Sequence, residues 1–379
     1  MINKVNKIFQ FVQYLTIILY FKIRNGKNIF IFPFYHTGGA EKVHLDIVKS
    51  FPRKDNLVIF TNTSYNDHFL SEFKKHSKIL QLYRYYDNLY FRKATFKFLR
   101  QLKNSSEITV FGCNSLYFYQ VLEHLPKNVK KIDLLHAFTL PDLGGMEIYS
   151  LNKISFLTYR MVINEKTRND LINLYKEKKI KEEYIRQIKI ISIAIDLPKR
   201  KPIKNYQKEK LQIIYCGRIA KEKRVHLIIE IGKKLQNFTD LKIYGHQEIK
   251  IEGIDHFYQN NITDSKKLLS IYQHSDILLI TSYREGFPVV IKEAMANGVV
   301  CISTDVGSIS EHVINNVTGY TVQNNDNEEL IIESFVEIIR NLFLDRELLS
   351  KISKNAYCHA TQKFDLNLFK EEVNKLFKS

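Results

Sequence analysis

The chain of 379 residues contains no tryptophan, only four cysteines and only seven prolines. Cys113, Cys216, Cys301 and Cys358 are scattered, with no Cys-x-x-Cys and no histidine pair at metal-ligand spacing. That spacing argues against structural zinc and against a disulfide framework, and it fits a reducing compartment. No Asp-x-Asp occurs anywhere. The simplest metal clamp for a diphosphate is therefore missing, so any diphosphate would be held by cations and backbone amides. Acidic residues are scarce in one half. Residues 1–200 carry 33 Lys/Arg against 17 Asp/Glu, whereas residues 201–379 carry 24 against 23, so the net charge of +17 belongs almost wholly to the first half. Such a one-sided field suits an anionic membrane surface or a polyanion.

What is present is apolar material sufficient for real cores, 45% of the residues with 12% aromatic, which excludes disordered and fibrous classes. The 14-residue stretch 8–21, IFQFVQYLTIILYF, is interrupted by Gln10 and Gln13 and flanked by Lys4, Lys7, Lys22, Arg24 and Lys27. It is short of the roughly 20 residues a spanning helix needs. It reads as a helix lying on a membrane surface or packing on the first domain, the cationic flanks favouring the membrane. A second basic segment, 83–103, places Phe91, Phe98 and Leu102 at helical spacing among six cations. That pattern suits a basic amphipathic surface helix and equally an ordinary solvated face over a core stripe.

Short apolar runs alternate with helical patterns along the whole chain: 28–34, 57–61, 108–112, 131–136, 160–163 and 189–193, then 211–216, 240–244, 277–281 and 299–303. Alternation of this kind implies parallel sheets with helices on both faces. The expected organisation is an N-terminal apolar and basic segment over 1–27, a Rossmann-like domain over 28–198 and a proline-containing basic linker over 199–210. A second such domain follows over 211–360, then a C-terminal helix over 361–379 that packs back on the first domain. Ligands of doubly wound sheets sit outside the carboxyl ends of the strands.

Five polar turns stand at such ends. After 28–34 comes His36-Thr37-Gly38-Gly39-Ala40-Glu41, where paired glycines at a helix start let a backbone approach a phosphate, or simply make a tight turn. His136 ends the run 131–136; read alone it is a satisfied structural histidine or a group at a site. After 211–216, Arg218 and Lys223 place two cations near a helix N-terminus, a plausible diphosphate clamp or a solvated surface. After 277–281 comes SYREGFPVVIKEAMANG, in which Pro288 and Gly298 bracket a helix over about 288–297. This puts Glu285 in the loop, Glu293 in the second turn, and the N–H groups of residues 286–289 at the helix mouth. TDVGSISE (304–311) is the fifth.

With these residues in view, the chain resembles the retaining glycosyltransferases of family four, the group one glycosyltransferases, which have the GT-B architecture of two doubly wound Rossmann-like domains facing across a cleft. The resemblance spans about 30 to 345 and rests on HTGGAEKV, on Arg218 and Lys223 as R-x4-K, and on Glu285 and Glu293 as E-x7-E. It implies that Arg218 and Lys223 hold the donor diphosphate and steady the departing nucleoside diphosphate, and that Glu293 accepts from the ribose hydroxyls. Glu285 would contact the donor sugar, and Gly286, Phe287, Pro288 and Val289 would line the sugar and phosphate pocket. Gly38 and Gly39 would close over the phosphates from the other domain, with His136 beside the transferring sugar.

The implied reaction is metal-independent transfer from a UDP- or GDP-linked sugar to a lipid-linked or growing glycan acceptor, with no cofactor and no nucleic-acid partner. Its expected setting is cell-surface polysaccharide synthesis, capsule or O-antigen, on the cytoplasmic face of an anionic membrane. Three stretches depart from the family pattern: ISIAIDL (191–197) keeps only Asp196 of an Asn-Gly-x-Asp turn, LKIYGHQE (241–248) is shortened relative to the family's glycine-rich turn, and FYQNNI (257–262) lacks the usual glycine. The last two border the expected base pocket, which leaves uridine and guanosine donors both open. Competing readings are a nucleotide-sugar epimerase or phosphorylase of the same fold, and a non-catalytic membrane or polyanion-binding protein. The latter has no need of converging carboxylates such as Glu285 and Glu293.

Overall fold

The computed structural model describes Val12, Leu15, Thr16, Ile18, Leu19 and residues 26–85, 89–136, 145–262 and 264–379. These form two compact units, the first comprising residues 1–193 with 367–379 and the second residues 194–366.

The first unit holds one sheet of β1 (Asn28–Phe32), β2 (Asn56–Phe60), β3 (Lys78–Gln81), β4 (Thr109–Cys113), β5 (Lys130–Leu135), β6 (Tyr159–Val162) and β7 (Ile188–Ile190). Its strand order is β3-β2-β1-β4-β5-β6-β7, with every pairing parallel. NIFIF in β1 and NLVIF in β2 are buried at every position, as strands covered by helices on both faces must be. The second unit holds β8 (Leu211–Cys216), β9 (Thr239–Tyr244), β10 (Tyr258–Asn260), β11 (Ile277–Ile280), β12 (Val300–Thr304) and β13 (Gly319–Val322), ordered β10-β9-β8-β11-β12-β13 and again all parallel. Each order reverses once, between β1 and β4 and between β8 and β11. Those reversals are the crevices where doubly wound sheets take ligands. Three strands have no counterpart among the runs read from the sequence, β3, β10 and β13, and all three are sheet edges.

The first core contains a buried ion pair. Arg160 donates from Nε to Asp133 Oδ1 and Oδ2 at 3.1 and 3.0 Å and from Nη2 to Asp133 Oδ2 at 2.6 Å. Its remaining donors reach Tyr175 Oη at 2.8 Å and Ser150 Oγ at 2.6 Å, while Tyr119 Oη donates to Asp133 Oδ2 at 2.9 Å. Because both charges are hydrogen-bonded, their burial is tolerated; removing one partner strands the other.

The final helix, Leu366–Lys378, buries Phe369, Val373, Leu376 and Phe377. It joins the first unit, where the Phe377 ring lies 4.5 Å from Phe51 and 5.7 Å from Phe111, Lys130 Nζ donates to Phe377 O at 2.8 Å and Asn374 Nδ2 to Ser50 O at 2.9 Å. The stretch 199–210 is no free tether. Lys204 Nζ donates to Tyr272 O, Gln273 O and Ser275 O at 2.8, 3.1 and 2.5 Å, satisfying carbonyls at the end of the helix Ser265–His274, and Lys208 pairs with Asp276 at 3.0 Å. The first division between units falls at 193/194.

Most of the apolar stretch 8–21 lies outside the described residues. Those described are helical: Ile18 packs into the first core, while Val12, Leu15 and Leu19, at helical spacing, are exposed. Among the described residues no helix is long and apolar enough to cross a membrane. In 83–103, Phe98 and Leu102 join the core, and Lys93, Lys97 and Arg100 stay exposed and line a surface groove with Phe96 and Tyr117. Phe91 and Arg92 have side chains outside the described set.

Replacing Arg160 by Met is expected to lower stability by about 3 to 5 kcal/mol, because Asp133 is left without its charged partner in an apolar interior. Urea unfolding followed by circular dichroism measures it.

Candidate active site

In the second unit the polar turns after β8 and β11 meet at the reversal of strand order. The strands are paired directly, Ile213 opposite Ile277, so the segments beyond them are neighbours. Lys223 Nζ donates to Glu285 Oε1 at 2.6 Å, and Ser282 Oγ donates to the same oxygen at 2.6 Å. Both charged side chains are mostly buried, at 18% and 12% exposure, so water screens this pair far less than a surface pair. The turns are also joined through their backbones. Arg224, at φ 48°, donates from Nε to Thr281 O at 2.8 Å and from Nη2 to Asn324 Oδ1 at 2.6 Å. The Thr281 hydroxyl lies 3.0 Å from the carbonyls of Lys223 and Arg224, and Tyr283 N donates to Glu222 O at 2.8 Å.

Arg218 is placed differently. Its guanidinium bonds Glu248 at 2.8 and 2.9 Å and Glu222 at 2.9 Å, and it is more than half exposed. The hydrogen bond to Glu248 raises its already high pKa. The two cations that the sequence pairs thus contact different carboxylates. Exposed pairs of this kind contribute at most about 1 kcal/mol, so Arg218 is readily exchanged onto a stronger anion.

Pro288 caps the helix Val289–Ala296, and Gly298, at φ 66°, follows its end, one residue inside the expected limits at each side. Glu293 on this helix accepts from Tyr272 Oη at 3.0 Å. Burial, with the Glu293 charge second, pushes the Tyr272 hydroxyl well up, so it stays a donor that orients the carboxylate. Burial and then Glu293 push the Cys216 thiol up to about 12. The loop of Glu285 and Gly286 is seated on the turn after β12, where Ser308 N and Oγ donate to Gly286 O at 2.9 and 3.2 Å. Gly307, at φ 66°, is required there: a Cβ would stand 2.2 Å from Gly286 O and 2.3 Å from Glu285 O. Phe287 is half-buried; behind it Lys292 Nζ lies 5.0 Å from both the Phe287 and Phe364 ring centroids.

In the first unit, Gly38 caps the helix Gly39–Val48 with extended φ −175°, which any residue adopts. A Cβ on Gly38 would meet the end of the Glu41 side chain at 2.1 Å, whereas one on Gly39 would meet nothing within 4 Å. The loop is held by Tyr65 Oη donating to Thr37 O at 2.6 Å and by the His36 ring stacked 4.0 Å from Tyr65. His136 follows β5 and faces His44 of the same helix, Nε2 to Nε2 at 3.1 Å. Burial pushes His136 down to about 4, and burial followed by the His136 charge pushes His44 well down, so both rings are neutral at pH 7.

Sequence reading missed Tyr272, Ser282, Arg224, Lys292 and His44 as contributors. Only Gly307, in a polar turn before a helix, carried a local signal.

The fold has counterparts among known proteins. The coordinates superimpose on TarM with TM-score 0.70 at 15% identity, covering 93% of this chain and 99% of that one. They superimpose on Anabaena HepE in complex with UDP with TM-score 0.69 at 15% identity, covering 92% and 98%. The architecture is therefore the GT-B fold of glycosyltransferases, two parallel-sheet α/β domains. Residues 198–359, nearly all of the second unit, match the family model of the glycosyl transferases group 1. A capsular polysaccharide biosynthesis glycosyltransferase of Staphylococcus aureus, CapM, is 27% identical over 271 residues, covering 66% of this chain and 70% of CapM.

Burial pushes the Lys292 ammonium down to about 7. Between that value and the ordinary lysine range the unfolded chain holds a proton that the folded chain has released, so this group makes stability rise with pH across the window. Lys292→Met is expected to be the more stable protein near pH 7, by a margin that shrinks towards about pH 10. Urea unfolding of both proteins across that range measures the margin.

Proposed function

We propose that the protein is a retaining glycosyltransferase that moves a sugar from a UDP- or GDP-linked donor to a lipid-linked or growing glycan acceptor in cell-surface polysaccharide synthesis. The observation that carries this is the meeting of Lys223, Glu285 and the mouth of the helix Val289–Ala296 at the strand-order reversal of the second unit. The similarity to CapM supports the polysaccharide setting, and the fold shared with HepE, which binds UDP and UDP-glucose, supports a nucleotide-sugar donor.

The demanding step is departure of a nucleoside diphosphate from a sugar that becomes oxocarbenium-like. Charge stabilisation by fixed cations and amides is the main contribution required. Lys223 is held by Glu285 against a rigid turn, so its ammonium need not be ordered when the diphosphate arrives. Arg218 exchanges its exposed carboxylates for phosphate oxygens, with bidentate geometry that lysine lacks. Free N–H groups at the start of the helix Val289–Ala296 supply positive potential to the sugar and phosphate. Glu285 accepts from donor-sugar hydroxyls, and Glu293, oriented by Tyr272, accepts from the ribose. Cations and amides carry this work, so no metal ion is needed. His136, neutral at pH 7, is suited to hydrogen-bond a sugar hydroxyl. Gly39, whose missing side chain would meet nothing, leaves room for a ligand to approach the backbone. The exposed apolar residues Val12, Leu15 and Leu19 and the basic residues Lys93, Lys97 and Arg100 fit work on the inner face of an anionic membrane.

Purified protein offered UDP- and GDP-sugars with a lipid extract is expected to release nucleoside diphosphate from one donor, with chelator present. Glu285→Ala is expected to lose at least about a hundredfold in turnover, the order lost with one stabilising group at a charge-developing centre. Turnover that survives Glu285→Ala, or depends on added metal, contradicts the proposal.

A further inference from the structure

Among the described residues, one cluster outside the diphosphate site gathers metal-ligating atoms. A nitrogen of His44, a nitrogen of His136 and Sγ of Cys113 all lie within 4.8 Å of one another. The cluster is assembled from three elements of the first unit: the helix Gly39–Val48, the last residue of β4 and the residue after β5. Neither Cys113 nor either histidine stands in a sequence motif with the others. Their meeting is a product of parallel strands ending at one edge.

We infer that His44, His136 and Cys113 form a binding site for a thiophilic divalent transition-metal ion, with Zn2+ the natural occupant. The two Nε2 atoms are 3.1 Å apart. Two imidazoles on one tetrahedral zinc, with bonds of about 2.05 Å, stand about 3.3 Å apart, so the rings need hardly move. Two imidazoles and a thiolate are the donor set that borderline-soft ions select, and magnesium or calcium do not. The rings are held in place beforehand: His44 is wholly buried and stacked on Phe32 at 4.2 Å with an interplanar angle of 3°. Nδ1 of His44 is buried with no hydrogen-bond partner among the described residues. The polar interaction that offsets the burial of this ring is therefore made at Nε2, on the side where His136 and Cys113 converge. His136 keeps partial exposure, which gives an ion a way in and leaves the fourth position for water or an anion.

On binding, the Cys113 thiol gives its proton to solvent and its sulfur lone pair to the metal, while each neutral imidazole donates a nitrogen lone pair; nothing is oxidised or reduced. An ion there would occupy the His136 nitrogen that faces His44. The site stands whether or not the protein transfers sugars, and its test reads binding rather than turnover.

The 379-residue protein, reduced and freed of metal, is titrated with Co2+ and then Zn2+. One equivalent of Co2+ is expected to give a thiolate-to-cobalt charge-transfer band that one equivalent of Zn2+ removes. Cys358→Ser, which deletes the exposed thiol, keeps the band. Cys113→Ser loses it and binds more than about a hundredfold more weakly, beyond what the loss of an outer-sphere partner alone would cause. Zn2+ also raises the Tm of the unaltered chain, a reading that needs no variant to fold. His44→Phe, which keeps a ring on Phe32, abolishes that rise. A band that is absent from the unaltered protein, or one that survives in Cys113→Ser and vanishes in Cys358→Ser, overturns the inference.

Discussion

In a sheet whose strands are all parallel, every carboxyl end opens on the same edge, and the one reversal of strand order leaves a crevice there. Both units of this chain obey that constraint. It explains why residues far apart in sequence, Lys223 and Glu285 in one unit, His44, Cys113 and His136 in the other, become neighbours without any local motif joining them. The helices on both faces favour apolar strands, and apart from the buried Asp133–Arg160 pair the polar chemistry described is left to the turns.

Within the second unit the turns are fixed to one another more than to the sheet. Arg224 holds the carbonyl of Thr281, Ser282 and Lys223 share one oxygen of Glu285, and Ser308 holds the carbonyl of Gly286. A side chain in such a frame sits in place before any ligand arrives, which is what electrostatic stabilisation of a departing anion requires. Arg218 is the exception, exposed and held by surface carboxylates that contribute little. The second unit thus holds one mostly buried cation, Lys223, and one exposed one, Arg218.

The central strands were legible because a strand buried on both faces is a continuous apolar run, as in IIYC of β8 or ILLI of β11. The edges were not. KILQ of β3 and YQN of β10 are half exposed and short, and GYTV of β13 begins on glycine, so none stands out from a loop. The turns carrying Lys223, Glu285 and Gly286 were legible because glycine, proline and charge after an apolar run mark a strand end locally. Their partners were not, since nothing near Glu293 names Tyr272 and nothing near His136 names His44, 92 positions away. Scattered cysteines argued against a metal centre by spacing alone, and spacing along the chain is blind to what two strand ends and a helix bring together.

Under the proposed function, the fixed Lys223 ammonium, not the exposed surface charge of the first half, is what the nucleoside diphosphate binds. Calorimetric titration of UDP and GDP into the unaltered protein and into Lys223→Met measures this directly. The account predicts that one nucleotide binds and that its Kd rises at least about tenfold in the variant, the equivalent of roughly 1.4 kcal/mol. An unchanged Kd in a folded Lys223→Met protein would contradict it.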